Sequence, residues 1–123
     1  MVDLELMREI VDALPFATVV VNSAGYVEWW NKRSEQIFSW KTSEVMGRPS
    51  PIVLRDRQDE FRAFQTLVLH GRTLRVKSLQ QRKDGALIEM KTTMVPLRNG
   101  SGTIKHILAS TRVHAGFRSA GCR

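Results

Sequence analysis

The chain has 123 residues and a formal net charge of +7, with 42% hydrophobic and 25% charged residues. This length suits one domain with one hydrophobic core, and the balance of residue types excludes an intrinsically disordered chain. No apolar run approaches the roughly 18 to 20 residues that span a bilayer, so the composition also excludes a membrane-spanning protein, and we expect no membrane partner.

Both ends of the sequence predict a cytoplasmic location. The first 14 residues, MVDLELMREIVDAL, are acidic and periodic, unlike a secretory signal peptide. The one cysteine is Cys122, so no internal disulfide can form and a reducing compartment fits.

Residues 1–14 are predicted to form an N-terminal amphipathic helix. Asp3 is a good N-cap, and Pro15 stops the helix. Apolar residues recur between them every three or four positions, at Leu4, Met7, Ile10, Val11 and Leu14. This apolar stripe must cover something, which is either the sheet of the same domain or a second copy of the chain.

A strand hairpin and a helical segment follow. The runs FATVVVN and YVEWWN, residues 16–22 and 26–31, are strand-like and are separated by a turn. Residues 34–40 and 43–47 then have short helical patterns. Residues 56–71 form the clearest helix, in which Phe61, Phe64 and Leu67 share a face with Val68.

The remaining pattern is extended. Three strand-like runs, residues 73–82, 86–97 and 103–113, are joined by Asp84-Gly85 and Asn99-Gly100, which favour hairpin turns. The predicted fold class is therefore α+β: a five-stranded antiparallel sheet, with a helical crossover over one face, preceded by the N-terminal helix. We expect the domain to span residues 15–113, and residues 114–123 to form a C-terminal tail without a clear period.

Charge is distributed unevenly along the chain. Residues 1–60 hold seven Lys/Arg and ten Asp/Glu, a balance of −3, whereas residues 61–123 hold 12 and two, a balance of +10. Either an acidic half packs on a basic half, or the basic half binds nucleic acid. The basic residues are spread through strand-like runs instead of clustering, which favours the first interpretation.

Three segments resemble the PAS domain, a small sensor module of bacterial signalling proteins, over about residues 9–113. They are ALPFATVVVNSAGYVEWWN, SEQIFSWKTSEVMGRP and QQRKDGALIEMKTTMVPLRNGSGTIKHILAS. Asn31 matches the family's frequent Asn after the second strand. A departure is Arg112-Val113-His114, where the family often has Asp-Ile-Thr for signal relay. The resemblance implies the PAS-like fold and a ligand pocket between the sheet and the crossover.

The resemblance also limits the cofactor. Light-sensing members attach flavin to a crossover cysteine, and residues 31–71 contain no cysteine, so covalent flavin is excluded. The crossover helix has only His70, at its end, which disfavours haem. His106 and His114 have no nearby Cys or carboxylate pair, so no metal site is predicted. Non-covalent flavin or a small metabolite is compatible with the sequence, which leaves the cofactor unknown.

Candidate site residues follow from face and family position. Strand alternation puts Val27, Trp29 and Asn31 on one face and Trp30 on the other, and the PAS resemblance implies that the first face is the core side. The three tryptophans are interpreted mainly as packing residues, with Trp29 as a ligand neighbour. The expected cofactor-binding residues are Val21, Trp29, Ile37, Phe38, Ile52, Phe64, Leu67, Met90, Thr92 and Leu108. The expected homodimer residues are Leu4, Met7, Ile10, Val11, Leu14 and Trp30.

The sequence carries no recognisable catalytic constellation, phosphate loop or metal-spaced cluster, so we expect no catalytic residues. The preferred hypothesis is a sensory or regulatory PAS domain that binds a small molecule or partner. It would relay the change through a dimer interface to an output domain such as a histidine kinase or a diguanylate cyclase. The alternatives are a ligand-free protein-interaction module and a nucleic-acid-binding basic domain.

Overall fold

The computed structural model describes residues 3–118, with side chains described up to residue 114. Its elements, in chain order, are α1 (Leu4–Ala13), β1 (Ala17–Asn22), β2 (Val27–Trp30), α2 (Lys32–Phe38), α3 (Thr42–Val45), a 3-10 turn (Arg55–Arg57), α4 (Gln58–Leu69), β3 (Leu74–Gln81), β4 (Leu87–Arg98) and β5 (Ile104–Arg118). Cys122 and residues 119–123 of the predicted tail lie outside the described residues.

The five strands form one antiparallel sheet in the order β2-β1-β5-β4-β3. The first hairpin therefore lies beside the C-terminal three-stranded meander, and the predicted α+β fold class is confirmed. Strand β5 continues to Arg118, past residue 113 where the strand was predicted to end, because its ladder with β4 continues as far as Leu87. Long-range pairing, not local pattern, sets this boundary.

One face of the sheet, the inner face, is covered by α2 and α4. Alternate residues of β4 point to it, and Ile88, Met90, Thr92 and Met94 are all buried, as the strand alternation predicts. Val68 of α4 and Phe38 of α2 are completely buried against the same core. The opposite face, the outer face, is not covered by either helix.

Helix α1 begins at the predicted cap, where Leu6 N donates to Asp3 Oδ1 at 2.7 Å. None of its residues is buried, and its apolar side chains are 44–61% exposed at Leu4, Leu6, Met7 and Ile10. The apolar stripe thus does not cover the sheet of its own chain. Within the described part of the chain, no helix has the length and hydropathy that crossing a membrane requires.

Asn31 joins α1, β1 and α2. Its Oδ1 accepts from Thr18 N at 2.9 Å and from Ser34 N at 3.0 Å, so it caps α2. Its Nδ2 donates to Val11 O at 2.9 Å and to Phe16 O at 3.0 Å. All four bonds go to backbone groups, which an asparagine side chain at a strand–helix junction readily binds.

Candidate functional site

A cavity of about 70 Å³ lies between the inner face of the sheet and α4. Its walls are mostly apolar. Val19 and Val21 of β1 and Met94 of β4 form the floor, and Phe61 and Phe64 of α4 form the roof. This is about half the volume of an apolar cavity of roughly 150 Å³, which can bind one benzene molecule. The cavity therefore has room for roughly three or four non-hydrogen atoms.

A seam of polar side chains crosses one wall of the cavity. Gln80 Nε2 donates to Thr92 Oγ1 at 3.3 Å and to Ser78 Oγ at 3.4 Å. The Thr92 and Thr111 hydroxyls are 2.8 Å apart, and Thr111 donates to Lys91 O at 3.2 Å. Because Thr111 donates to the carbonyl, the hydrogen-bond chain runs in one direction from Gln80, through Thr92, to Lys91 O.

The other atom of the Gln80 amide has no partner. Gln80 Oε1 is buried and accepts no hydrogen bond from any residue that the structure describes. A buried acceptor without a donor costs about 1–3 kcal/mol, so this oxygen is the one polar group of the seam that a bound molecule would satisfy.

Charge is confined to the rim of the cavity. Arg57 and Glu60 border it and form an ion pair at 3.2 Å, with side chains 49% and 42% exposed. No other charged residue of residues 3–114 lines the cavity. An ionised ligand would therefore lose its hydration without gaining a buried counter-charge, so the cavity suits an uncharged molecule.

Four of the ten predicted binding residues line the cavity: Val21, Ile52, Phe64 and Thr92. Three others, Ile37, Phe38 and Met90, belong to the surrounding core but not to the cavity wall. The lining residues that the prediction missed include Val19, Phe61, Met94, Thr111 and Gln80. Val19 and Met94 lie two residues from Val21 and Thr92 on the same strands, so strand alternation predicts that they face the cavity as well. Nothing in the local pattern distinguishes Gln80 from the adjacent Gln81.

Trp29 and Trp30 have the reverse of the predicted orientation. Val20 pairs with Trp29 but Val21 pairs with Val27, so a β-bulge at Glu28 adds one residue to β2 and shifts its alternation. Trp30 consequently points inward and is only 4% exposed, while Trp29 is half-buried on the outer face. Trp29 does not contact the cavity, and Trp30 is not available at the surface for a dimer.

Leu67 and Leu108 also lie away from the cavity. The buried stripe of α4 follows Phe61, Phe64 and Val68, which leaves Leu67 at its edge and 40% exposed. Leu108 pairs with Val20 and Val95 on the outer face, because β5 turns Ile107 and Ala109 inward instead.

The cavity does not fit the cofactors that the PAS resemblance implies. Pockets for cofactors and drug-sized ligands measure about 300–1,000 Å³, several times the volume found here, so neither flavin nor haem fits between these side chains. His70 is exposed and contacts Thr66 O of its own helix at 2.7 Å. Within residues 3–118, no three His, Cys, Asp or Glu side chains come together as a metal site.

Two carboxyl groups have shifted pKa values, and both lie outside the cavity. Hydrogen bonds from His106 and Asn22 lower the pKa of Glu28, and hydrogen bonds from Lys83 and from the Lys41 backbone lower the pKa of Glu44. Both shifts favour the ionised form in exposed ion pairs. Neither creates the raised carboxyl pKa that a general acid requires.

Comparisons with known proteins agree with this geometry. The sequence profile of the PAS fold matches residues 5–113. The PAS domain of a protein from Colwellia psychrerythraea gives a TM-score of 0.79 at 18% identity, covering 90% of this chain and 96% of that one. The PAS domain of an HTR-like protein from Haloarcula marismortui gives 0.77 at 16% identity, covering 89% and 90%.

A third similar structure is VqmA of Vibrio cholerae, with a TM-score of 0.77 at 17% identity, covering 94% of this chain and 52% of that one. A comparison with curated protein sequences finds no match. At these identities, the similarity to solved structures shows the fold alone.

Proposed function

The chain belongs to the PAS family of sensory domains, and we propose that it senses a small uncharged molecule for a larger cytoplasmic signalling protein. The occupied cavity would shift a dimer interface and so control an output domain, such as a histidine kinase or a diguanylate cyclase. The observation that carries this proposal is the unpartnered Gln80 Oε1 in the wall of an otherwise apolar cavity. We propose no reaction for the domain itself.

The ligand class follows from the volume and the polarity of the cavity. About 70 Å³ admits roughly three or four non-hydrogen atoms without movement of α4. The molecule would be mostly apolar and carry one hydrogen-bond donor for Gln80 Oε1, since the donors of the seam are already used within it.

The bonds of Asn31 supply a route from the cavity to α1. Val19 and Val21 of β1 line the cavity, and Thr18 of the same strand donates its backbone N–H to Asn31 Oδ1. Asn31 in turn donates to Val11 O at the C-terminal end of α1. A displacement of β1 by a ligand would therefore change the position of α1, whose exposed apolar stripe we propose as the dimer interface.

Of the six predicted dimer residues, five remain in this proposal: Leu4, Met7, Ile10 and Val11 of α1 and its C-cap residue Leu14. Trp30 is withdrawn, because its ring packs inside the core 5.7 Å from that of Phe38.

The ligand class is tested with 2-propanol and acetone, which have the same number of non-hydrogen atoms but differ in the O–H donor. In NMR titrations we expect 2-propanol to bind about fivefold more tightly than acetone. The reason is that the O–H of 2-propanol can donate to the buried Gln80 Oε1, and one such hydrogen bond contributes about 1 kcal/mol. In Gln80→Met this preference should disappear. Gln81→Met, the same change one residue along β3, should retain it. Acetone binding as tightly as 2-propanol to the unaltered protein contradicts the proposed ligand class.

A second candidate function is a ligand-free protein-interaction module. The observation that favours it is the small volume left between Phe61 and Phe64 and the sheet. Mass spectrometry of a denatured extract, together with the NMR titrations of 2-propanol and acetone, separates the two. A protein that releases no small molecule and binds neither alcohol nor ketone supports the interaction module.

A further inference from the structure

The outer face of the sheet gathers basic residues that are far apart in the sequence. Lys91 of β4 pairs directly with Lys77 of β3 on one side and with Arg112 of β5 on the other. Arg75 lies on the same face, two residues before Lys77. We call these four residues the basic row. Although they are spread through three strand-like runs, the sheet makes them one positively charged surface.

The described part of the chain does not neutralise the basic row. None of the four basic side chains takes part in an ion pair among residues 3–114. Glu89 lies on the same face but is engaged in a contact of its own. Glu28, also on this face, is paired with His106 at 2.8 Å. Because like charges directly opposite each other destabilise a sheet, the row favours a counter-charge from another molecule.

A groove of about 640 Å³, which we call the outer groove, runs over the basic row. All four basic residues line it, and no carboxylate of residues 3–114 does. Thr93 and Ser110, which pair with each other across β4 and β5, also line it, next to Arg75. Their hydroxyl groups can donate to phosphate oxygens, as the four cations can. The outer groove therefore suits a ligand with more than one phosphate group.

One end of the outer groove is aromatic. Phe16 precedes β1, one position beyond the pair of Ala17 and Thr111, so the same register puts it next to Arg112. It lines the groove and is half-buried, which leaves part of its ring accessible. A positively charged groove with an aromatic ring is the combination that binds single-stranded nucleic acid, because a base stacks on the ring while the backbone follows the cations.

The shape of the surface favours a single strand over a duplex. Lys77, Lys91 and Arg112 lie on adjacent strands and span only about 10 Å across the sheet. The bases of a duplex are reached by a helix or a two-stranded ribbon that enters the major groove, whereas the basic row lies within the face of a five-stranded sheet. The unstacked bases of a single strand can reach such a face.

We propose that the outer groove binds single-stranded nucleic acid. The backbone phosphates contact the four cations of the basic row, the hydroxyl groups of Thr93 and Ser110 donate to phosphate oxygens, and one base stacks on Phe16. The outer groove and the cavity lie on opposite faces of the sheet, so this proposal does not depend on the ligand of the proposed function.

Salt dependence tests the phosphate contacts. Binding is measured by the fluorescence anisotropy of a labelled oligothymidylate of about 12 nucleotides. Each phosphate contact in a single strand contributes about −0.7 to the slope of log K against log salt concentration, so four contacts predict a slope of about −3. In Lys77→Gln/Lys91→Gln the slope should fall to about half, and binding at about 50 mM salt should weaken about 50-fold.

Arg72→Gln/Lys105→Gln is the matched control. It removes the same charge from two exposed residues of the basic half of the chain that do not line the outer groove. Its slope should equal that of the unaltered protein, and far-UV circular dichroism verifies that both double variants are folded. An equal loss of binding in the two double variants would mean that net charge alone attracts the oligonucleotide, and the proposed groove would then be wrong.

Phe16→Leu tests the stacked base. We expect it to weaken oligothymidylate binding at least about fivefold, because a base–aromatic stack is lost. The slope should stay the same, since no phosphate contact is removed. Inorganic polyphosphate, which has no base, should bind equally to Phe16→Leu and to the unaltered protein. If the variant binds the oligonucleotide normally, or loses both ligands to the same extent, the assignment to nucleic acid is overturned.

Three further results overturn the proposal. The first is that the unaltered protein does not bind the oligonucleotide at about 50 mM salt. The second is tighter binding of the duplex that the oligonucleotide forms with oligoadenylate. The third is binding to phosphatidylserine vesicles but not to the oligonucleotide, with loss in Lys77→Gln/Lys91→Gln, which would make the basic row a membrane-surface site. None of these results affects the 2-propanol titration of the cavity.

Discussion

Asn31 uses one buried amide to stabilise the meeting point of α1, β1 and α2. Its oxygen accepts from two backbone N–H groups and from the Ser34 hydroxyl at 2.8 Å, and its nitrogen donates to two backbone carbonyls. Both sides of the amide are satisfied, and the side chain has no solvent exposure. A residue that replaces it must therefore supply donors and acceptors in the same geometry.

We expect Asn31→Asp to lower the free energy of unfolding by about 3–4 kcal/mol. The aspartate keeps the acceptor but places a second oxygen against the carbonyls of Val11 and Phe16, with no donor for either. Urea unfolding at neutral pH measures the change. Asn99→Ala is the control, since Asn99 also accepts several backbone bonds but is exposed, and we expect it to cost less than about 1 kcal/mol. Equal effects at the two positions would contradict the role assigned to Asn31.

At the scale of the element, strand β2 shows how one extra residue changes a surface. The bulge at Glu28 turns two consecutive tryptophans to the faces opposite to those that alternation predicts. Trp30 now fills the core beside Phe38, and its indole N–H donates to Trp40 O at 3.0 Å. Trp29 is left on the outer face, beside its pairing partner Val20.

This orientation predicts different effects for the two tryptophans. Trp30→Ala should lower the free energy of unfolding by about 3–5 kcal/mol, because it removes a buried ring and leaves a cavity. Trp29→Ala should cost about 1 kcal/mol in a monomer, because the ring remains partly in solvent. The two variants are compared by urea unfolding at a protein concentration below the dissociation constant of the proposed dimer. A larger loss for Trp29→Ala would place the bulge elsewhere.

At the scale of the whole molecule, the sheet brings together residues from the acidic and basic halves of the sequence. Glu28 of β2 reaches across β1 to His106 of β5 at 2.8 Å, and Glu44 pairs with Lys83. These contacts agree with the interpretation that the two halves pack against each other. Lys77, Lys91 and Arg112, which pair with one another across the outer face, form no ion pair with any described residue.

The pair of Glu28 and His106 predicts a contribution to stability that depends on pH. The lowered pKa of Glu28 means that folding favours its ionised form. Its contribution is therefore complete above the ordinary pKa of 4.5 and is lost as the pH falls through the lower pKa of the folded state. In Glu28→Gln this contribution is absent. The difference in melting temperature between the unaltered protein and the variant should thus shrink on acidification from pH 6 to pH 3, and a constant difference would contradict the assignment.

Local patterns were sufficient to predict the elements and their arrangement in one antiparallel sheet. Caps, Pro15 and the Asp84-Gly85 turn act over a few residues, and the alternation of β4 reports which face is buried. Such signals depend only on neighbours in sequence. The same holds for Val21, Phe64 and Thr92, whose faces follow from regular helix and strand periods, whereas Ile52 lies outside the helices and strands.

Other features depend on partners far away in the sequence, and the amino-acid pattern alone left them open or misplaced them. The bulge at Glu28 exists only in the pairing of β2 with β1, and the end of β5 is set by β4. Gln80 faces the cavity instead of Gln81 because of the register between β3 and β4. The tertiary structure alone brings Trp29, Val20, Leu108 and Val95, from four separate strands, side by side on the outer face, since side chains from distant segments become neighbours only when the sheet forms.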